Sequence, residues 1–224
     1  RKYHGSELKK PEAKAAWAAV DTLAKKSIYL RREFYVAKKV KDATAYVCGL
    51  GFYEFSLNGE KVGDSEFAPL WSDYDKSVYY NTYDVTSQVK KGGNAIGVLL
   101  GNGFYNVQGG RYRKLQISFG APTLRFRMVV NYEDGTCETI VSGKDWKYDF
   151  SPVLFNCIYG GEDYDARREQ KGWNMFGFKE QDWRPVVIQE APKGVLRPQI
   201  AQPVKIMERY DIRKVTKLTA EQIT

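Results

Sequence analysis

From Ser27 onward the chain runs in short strand-like segments cut by turn signals, and this punctuation limits the fold more than any other feature. SIYLRREFYV (27–36) alternates apolar and polar residues in the manner of a half-buried strand. FYEFSL is followed by Asn58-Gly59, a pair that tolerates the positive φ of a two-residue hairpin turn. TLRFRMVVNY and TCETIVS are joined by Glu133-Asp134-Gly135, a second hairpin signal. ATAYVCGL, SVYYNTYDV, the continuous apolar run NAIGVLL, KDWKYD, PVLFNCIYG and WRPVVIQE bring the set to about nine or ten strands. Between two of them, DVTSQVKKGGN offers Asp84 or Thr86 as the cap of one helical turn that Gly92-Gly93 ends.

A longer helical pattern occurs only ahead of the strands. Pro11 opens an alanine-rich stretch in which Trp17, Val20 and Leu23 fall at helical spacing, predicting one short helix over 11–25. Many short strands with no second such helix predict an all-β chain built as an antiparallel β-sandwich. The expected division is a lead-in with the helix (1–27), the sandwich (28–202) and an exit segment (203–224) pointing toward a further domain. Beginning at Arg1 rather than Met, and with no secretory signal, the chain is expected to be a processed or trimmed product.

Several function classes are set aside by charge and residue usage. The net charge of +8 comes from 35 basic and 27 acidic residues, but the basic ones are scattered pairs such as Lys9-Lys10 and Lys90-Lys91. No basic stripe or reading motif suggests nucleic acid. His4 is the only histidine, and Cys48, Cys137 and Cys157 are far apart with no CxxC, which excludes zinc sites and histidine-based triads. Buried free thiols are expected in preference to a disulfide. No run of 18 apolar residues predicts a membrane span. The sixteen tyrosines and five tryptophans leave two readings open, sheet packing or contacts with sugar or protein.

One stretch raises a specific question. In LLGNGFYN (99–106), Gly101 and Gly103 flank Asn102, so the backbone can turn tightly and present the asparagine. The same segment joins GLGFYEFSLNGEKVGD (49–64), APLWSDYDKSVYYNTYDVT (68–86) and YGGEDYDARREQKGW (159–173) in a set that resembles the N-terminal β-sandwich of bacterial α-L-rhamnosidases over roughly residues 28–210. The NG…DVT…GxN piece is also similar to the jelly-roll, galactose-binding-like domains of β-galactosidases and β-glucuronidases. The resemblance implies a jelly-roll sandwich that binds L-rhamnose-containing glycans, while a separate α/α barrel of the same polypeptide hydrolyses terminal L-rhamnose. It further implies a periplasmic or extracellular location, with a cytoplasmic one left open.

In some members of that family, calcium bridges such a domain to the sugar. Calcium takes six to eight hard oxygen ligands, and the resemblance implies that Asp64 and Asn102 supply some of them from neighbouring loops. Ser65 departs from the pattern, since an amide residue is common there in calcium-binding members. Trp71, Phe104 and Tyr105 are the aromatic candidates for the C–H face and C6 methyl of L-rhamnose, with core or interface packing as the alternative. In GEDYDARREQKGW, two of Glu162, Asp163, Asp165 and Glu169 could form an acid–base pair. Arg167 and Arg168 favour instead a charge-paired, ordered loop anchored by Trp173 and Trp183. Asp73 and Asp75 are assigned no chemistry. No catalytic residue is therefore expected in this chain, which is read as an accessory domain. A support domain without sugar binding and a freestanding lectin-like module are the alternatives.

Overall fold

Asn58 and Gly59 take φ of 55° and 89°, so the predicted turn forms and pairs Leu57 with Glu60. A computed structural model describes residues 3–4, 26–107, 117–190, 192–214 and 216. The helix expected over 11–25 lies outside the described residues. Eleven strands make the sandwich: β1 (Ile28–Val36), β2 (Val40–Leu50), β3 (Tyr53–Leu57), β4 (Glu60–Lys61), β5 (Ser77–Asp84), β6 (Gly92–Leu100), β7 (Thr123–Tyr132), β8 (Cys137–Val141), β9 (Lys147–Phe150), β10 (Arg184–Pro185) and β11 (Val195–Pro198). One sheet has the order β10-β9-β1-β6-β3-β4 and the other β8-β7-β2-β5-β11.

The alternation read from the sequence places the core between these sheets. Leu30, Phe34 and Val36 face inward from β1, Ala43, Ala45 and Val47 from β2, and Phe126, Met128 and Val130 from β7. Phe55 and Phe126 meet across the gap with centroids 5.4 Å apart at 68°. Each of the Val, Leu, Phe and Met side chains among these contributes about 1.5–3 kcal/mol by leaving water. Trp146 closes one end, its indole N–H donating to the Val141 carbonyl at 2.9 Å.

Pairing is antiparallel except at one edge, where β11 runs parallel to β5, Val195 opposite Ser77. A long crossing from the other sheet brings β11 there, and no hairpin dictates its direction. Cys48 and Cys157 are buried, as expected. Cys137 differs from the expected burial and is exposed. It stands on edge strand β8, where only Ile140 is buried.

The strand SIYLRREFYV is not half-buried as its alternation suggests. Its outer face is covered too: Tyr29 is buried and Arg31 is 0% exposed. The covering layer is the segment 170–183. Trp173 stacks on Tyr29 at 4.1 Å and 20°, and burial pushes the Tyr29 phenol up to about 12. Arg31 pairs with Glu33 at 2.6 Å and with Glu180, donates to the Met175 carbonyl at 2.9 Å, and lies over the Phe178 ring at 5.4 Å. On β6, a β-carbon at Gly97 would come within 2.5 Å of Asn174 Cβ, and one at Gly93 within 2.4 Å of the Phe176 ring. Coverage on both faces is why NAIGVLL reads as continuously apolar.

Candidate functional site

Three loops and a hairpin tip meet at one rim of the sandwich. The Tyr53 N–H donates to the Ala68 carbonyl and the Gly101 N–H to the Phe52 carbonyl, both at 2.8 Å. Gly51 allows this closeness, since a β-carbon there would lie 2.0 Å from the Gly101 carbonyl oxygen. The two-stranded hairpin Val153–Cys157 with Gly161–Tyr164 brings Tyr159 alongside.

Five rings line this rim. Trp71 stacks on Phe104 with centroids 4.8 Å apart and planes 11° apart. Phe104 meets Phe52 edge-on at 5.9 Å and Tyr159 edge-on at 6.2 Å, and Phe52 meets Phe67 at 5.6 Å. Trp71 remains 52% exposed, and Phe67 and Tyr159 are exposed as well. Phe67 holds φ of 52°, costly for a bulky residue and a mark of a position fixed by its surroundings. An exposed aromatic shelf of this kind suits the apolar face of a ligand that also carries hydroxyls.

The sequence candidates separate on this frame. Trp71 and Phe104 come together. Tyr105 turns inward, edge-on to Tyr74 at 5.0 Å, and burial raises its phenol. Asn102 is 0% exposed. Its backbone N–H donates to Asn156 Oδ1 at 2.6 Å and its Nδ2 to the Asn156 carbonyl at 3.1 Å. Asn102 Oδ1 accepts from Asn106 Nδ2 at 2.9 Å. Asp64 is exposed, and its carboxylate takes the Lys205 ammonium at 2.7 Å, a hydrogen bond that lowers its pKa.

These two residues do not fit calcium as arranged. The Asn102 amide oxygen is buried and engaged with another amide, and the Asp64 carboxylate is already neutralised by Lys205. Among the described residues, no three His, Cys, Asp or Glu side chains gather to hold a metal.

The acidic marker segment is charge-paired at Asp165. Arg167 grips Asp165 with two parallel bonds of 2.7 and 2.9 Å and pulls its carboxyl down to about 2. Asp165 Oδ1 also caps the short 3₁₀ turn Ala166–Arg168. Trp183 is anchored through its indole N–H to Gln170 Oε1 at 2.9 Å. Asp84 caps the turn after β5, accepting from the Thr86 N–H at 3.0 Å.

Sequence reasoning missed Phe52, Phe67, Tyr159 and Asn156. Phe52 and Tyr159 each stand beside a glycine in the quoted motifs, a signal of a turn that can expose a ring. Asn156 carried no signal, because its partners are 54 and 129 positions away.

Known proteins share this framework. A family model described as the alpha-L-rhamnosidase N-terminal domain matches residues 38–208. An alpha-L-rhamnosidase of Formosa agariphila is 40% identical over 195 residues, 84% of this chain and 20% of that protein. The crystal structure of Streptomyces avermitilis alpha-L-rhamnosidase complexed with L-rhamnose aligns with a TM-score of 0.79 at 38% identity, covering 86% of this chain and 19% of that one. The alpha-L-rhamnosidase structure from Dictyoglumus thermophilum gives 0.74 at 40% identity, covering 82% and 20%. The chain thus spans about a fifth of the length of the curated relatives it matches. With most of its sandwich matched in sequence and in fold, the chain belongs to the alpha-L-rhamnosidase N-terminal domain family.

Proposed function

We propose that this chain is the non-catalytic β-sandwich of an α-L-rhamnosidase and that it offers the Trp71–Phe104 shelf to L-rhamnose-bearing glycans. Hydrolysis of terminal L-rhamnose is assigned to a catalytic α/α barrel of the same polypeptide. The observation that carries the sugar reading is the half-exposed Trp71 backed on Phe104, which Phe52 and Tyr159 meet edge-on. An indole face packs against the C–H face of a pyranose, and the C6 methyl of L-rhamnose adds about 0.8 kcal/mol of apolar burial.

A support role is the second reading, favoured by a different surface. Ile200, Met207, Tyr210 and Ile212 are all largely exposed along the C-terminal ribbon, a concentration of apolar side chains that suits contact with another domain. Both roles can coexist, since ribbon and shelf are separate sets of residues.

Titration calorimetry with methyl α-L-rhamnoside, in calcium and in chelator, separates them. The sugar reading expects equal heat in both buffers and binding about tenfold weaker with Trp71→Ala. Absence of heat from the native chain in either buffer leaves only the support role. Heat that requires calcium contradicts the metal-free form of the reading.

A further inference from the structure

The shelf is assembled from segments far apart in sequence, so something must hold Phe104 against Tyr159. Asn156 is placed to do so. Its Oδ1 accepts from the Asn102 N–H at 2.6 Å, its carbonyl accepts from Asn102 Nδ2 at 3.1 Å, and its Nδ2 donates to Ser27 Oγ at 3.0 Å. Asn102 in turn holds Asn106 through Oδ1 at 2.9 Å and through its carbonyl at 3.1 Å. Asn102, Asn106 and Ser27 are buried. Phe104 follows Asn102 by two residues, and Tyr159 follows Asn156 by three.

We propose that Asn156 is the positioning residue of the shelf: its side-chain amide locks the 101–106 loop to the 153–164 hairpin and so fixes the edge-to-face contact of Phe104 and Tyr159. The Asn102 N–H needs an acceptor at this place, and the other end of the side chain meets Ser27 Oγ, a hydroxyl that accepts from an amide and can donate to a carboxylate. Gly101 is part of the device, since a β-carbon there would stand 3.0 Å from Asn156 Oδ1 and 3.2 Å from Ser27 Oγ. Buried polar networks of this kind specify one arrangement of the groups they join, provided each member is satisfied. The consequence for ligand binding rests on the glycan reading above; the consequence for the rings does not.

The test compares the native chain with Asn156→Ala and Asn156→Asp, the latter keeping an acceptor for the Asn102 N–H. Nuclear Overhauser contacts between the Phe104 and Tyr159 rings are expected to vanish in Asn156→Ala, with the sandwich amide spectrum retained, and to persist in Asn156→Asp. Unchanged contacts in Asn156→Ala, or their equal loss in Asn156→Asp, overturn the proposal. Should Asn156→Ala fail to fold, Ser27→Ala decides: weakened ring contacts support the tie and unaltered ones overturn it. For methyl α-L-rhamnoside, Asn156→Ala and Tyr159→Ala are each expected to weaken binding about tenfold, with no further loss in the double variant. Independent, additive losses overturn the positioning role. A native chain that ignores the sugar defeats the glycan reading alone, because the ring contacts still decide Asn156.

Discussion

Trp71 lies flat on Phe104 at 4.8 Å while half of the indole stays open to solvent. An exposed ring that is stacked but not buried contributes more to a partner than to the fold. Trp71→Ala is expected to weaken methyl α-L-rhamnoside about tenfold, about 1.4 kcal/mol, and to leave the melting temperature nearly unchanged. Tyr105→Ala is expected to do the opposite, lowering stability by about 3–5 kcal/mol as an aromatic is removed from a packed cluster. Calorimetry and thermal melts on the two variants check both halves.

Arg31 and its carboxylates bind the 170–183 layer to β1. Removing the guanidinium takes from Glu33 and Glu180 the cation they share beneath this layer, leaving Glu180 only its pair with Lys147 at 2.7 Å. Arg31→Ala is therefore expected to cost about 3–5 kcal/mol, a fall in Tm of about 10 °C for a domain of this size. Joint replacement by Arg31→Met and Glu180→Met should recover part of that loss, which differential scanning calorimetry would show.

Gly97 has no room for a side chain. Its would-be β-carbon meets Asn174 Cβ at 2.5 Å, Ser56 Oγ at 2.7 Å and Trp173 Cζ3 at 2.9 Å. Gly97→Ala is expected to destabilise by about 1–3 kcal/mol and to loosen the Trp173–Tyr29 stack. Tryptophan fluorescence shifted toward the solvent-exposed value, together with a lower urea midpoint, checks it.

Asp165 gives a pH dependence of known sign. Arg167 depresses its folded pKa to about 2, below the unfolded value of about 3.9. The group's stabilisation is thus complete above about pH 4 and is lost as pH falls through about 2. The Arg167 side-chain N–H resonances should move with that titration, and Asp165→Asn should abolish the movement. A midpoint near the ordinary aspartate value contradicts the pairing.

Local turn chemistry made much of the sandwich legible. Asn58-Gly59 and Glu133-Asp134-Gly135 mark their hairpins in the chain itself, and period-two runs such as TLRFRMVVNY name their own inward residues. Arg31 was not legible, because a charged residue in an alternating strand signals solvent until a distant segment covers it. The site was half visible for the same reason. Trp71 and Phe104 stood out as aromatics near glycine-rich turns, but Tyr159 and Asn156 join them only through long-range pairing. Asn102 attracted attention as a ligand and proved to be an internal tie, a role its flanking glycines serve equally well.

The most direct test of glycan binding at the shelf is the indole N–H resonance of Trp71 during titration with methyl α-L-rhamnoside. The shelf reading predicts a saturable shift of that resonance, with the buried Trp146 resonance still. No shift at Trp71, or equal shifts at both tryptophans, would contradict it.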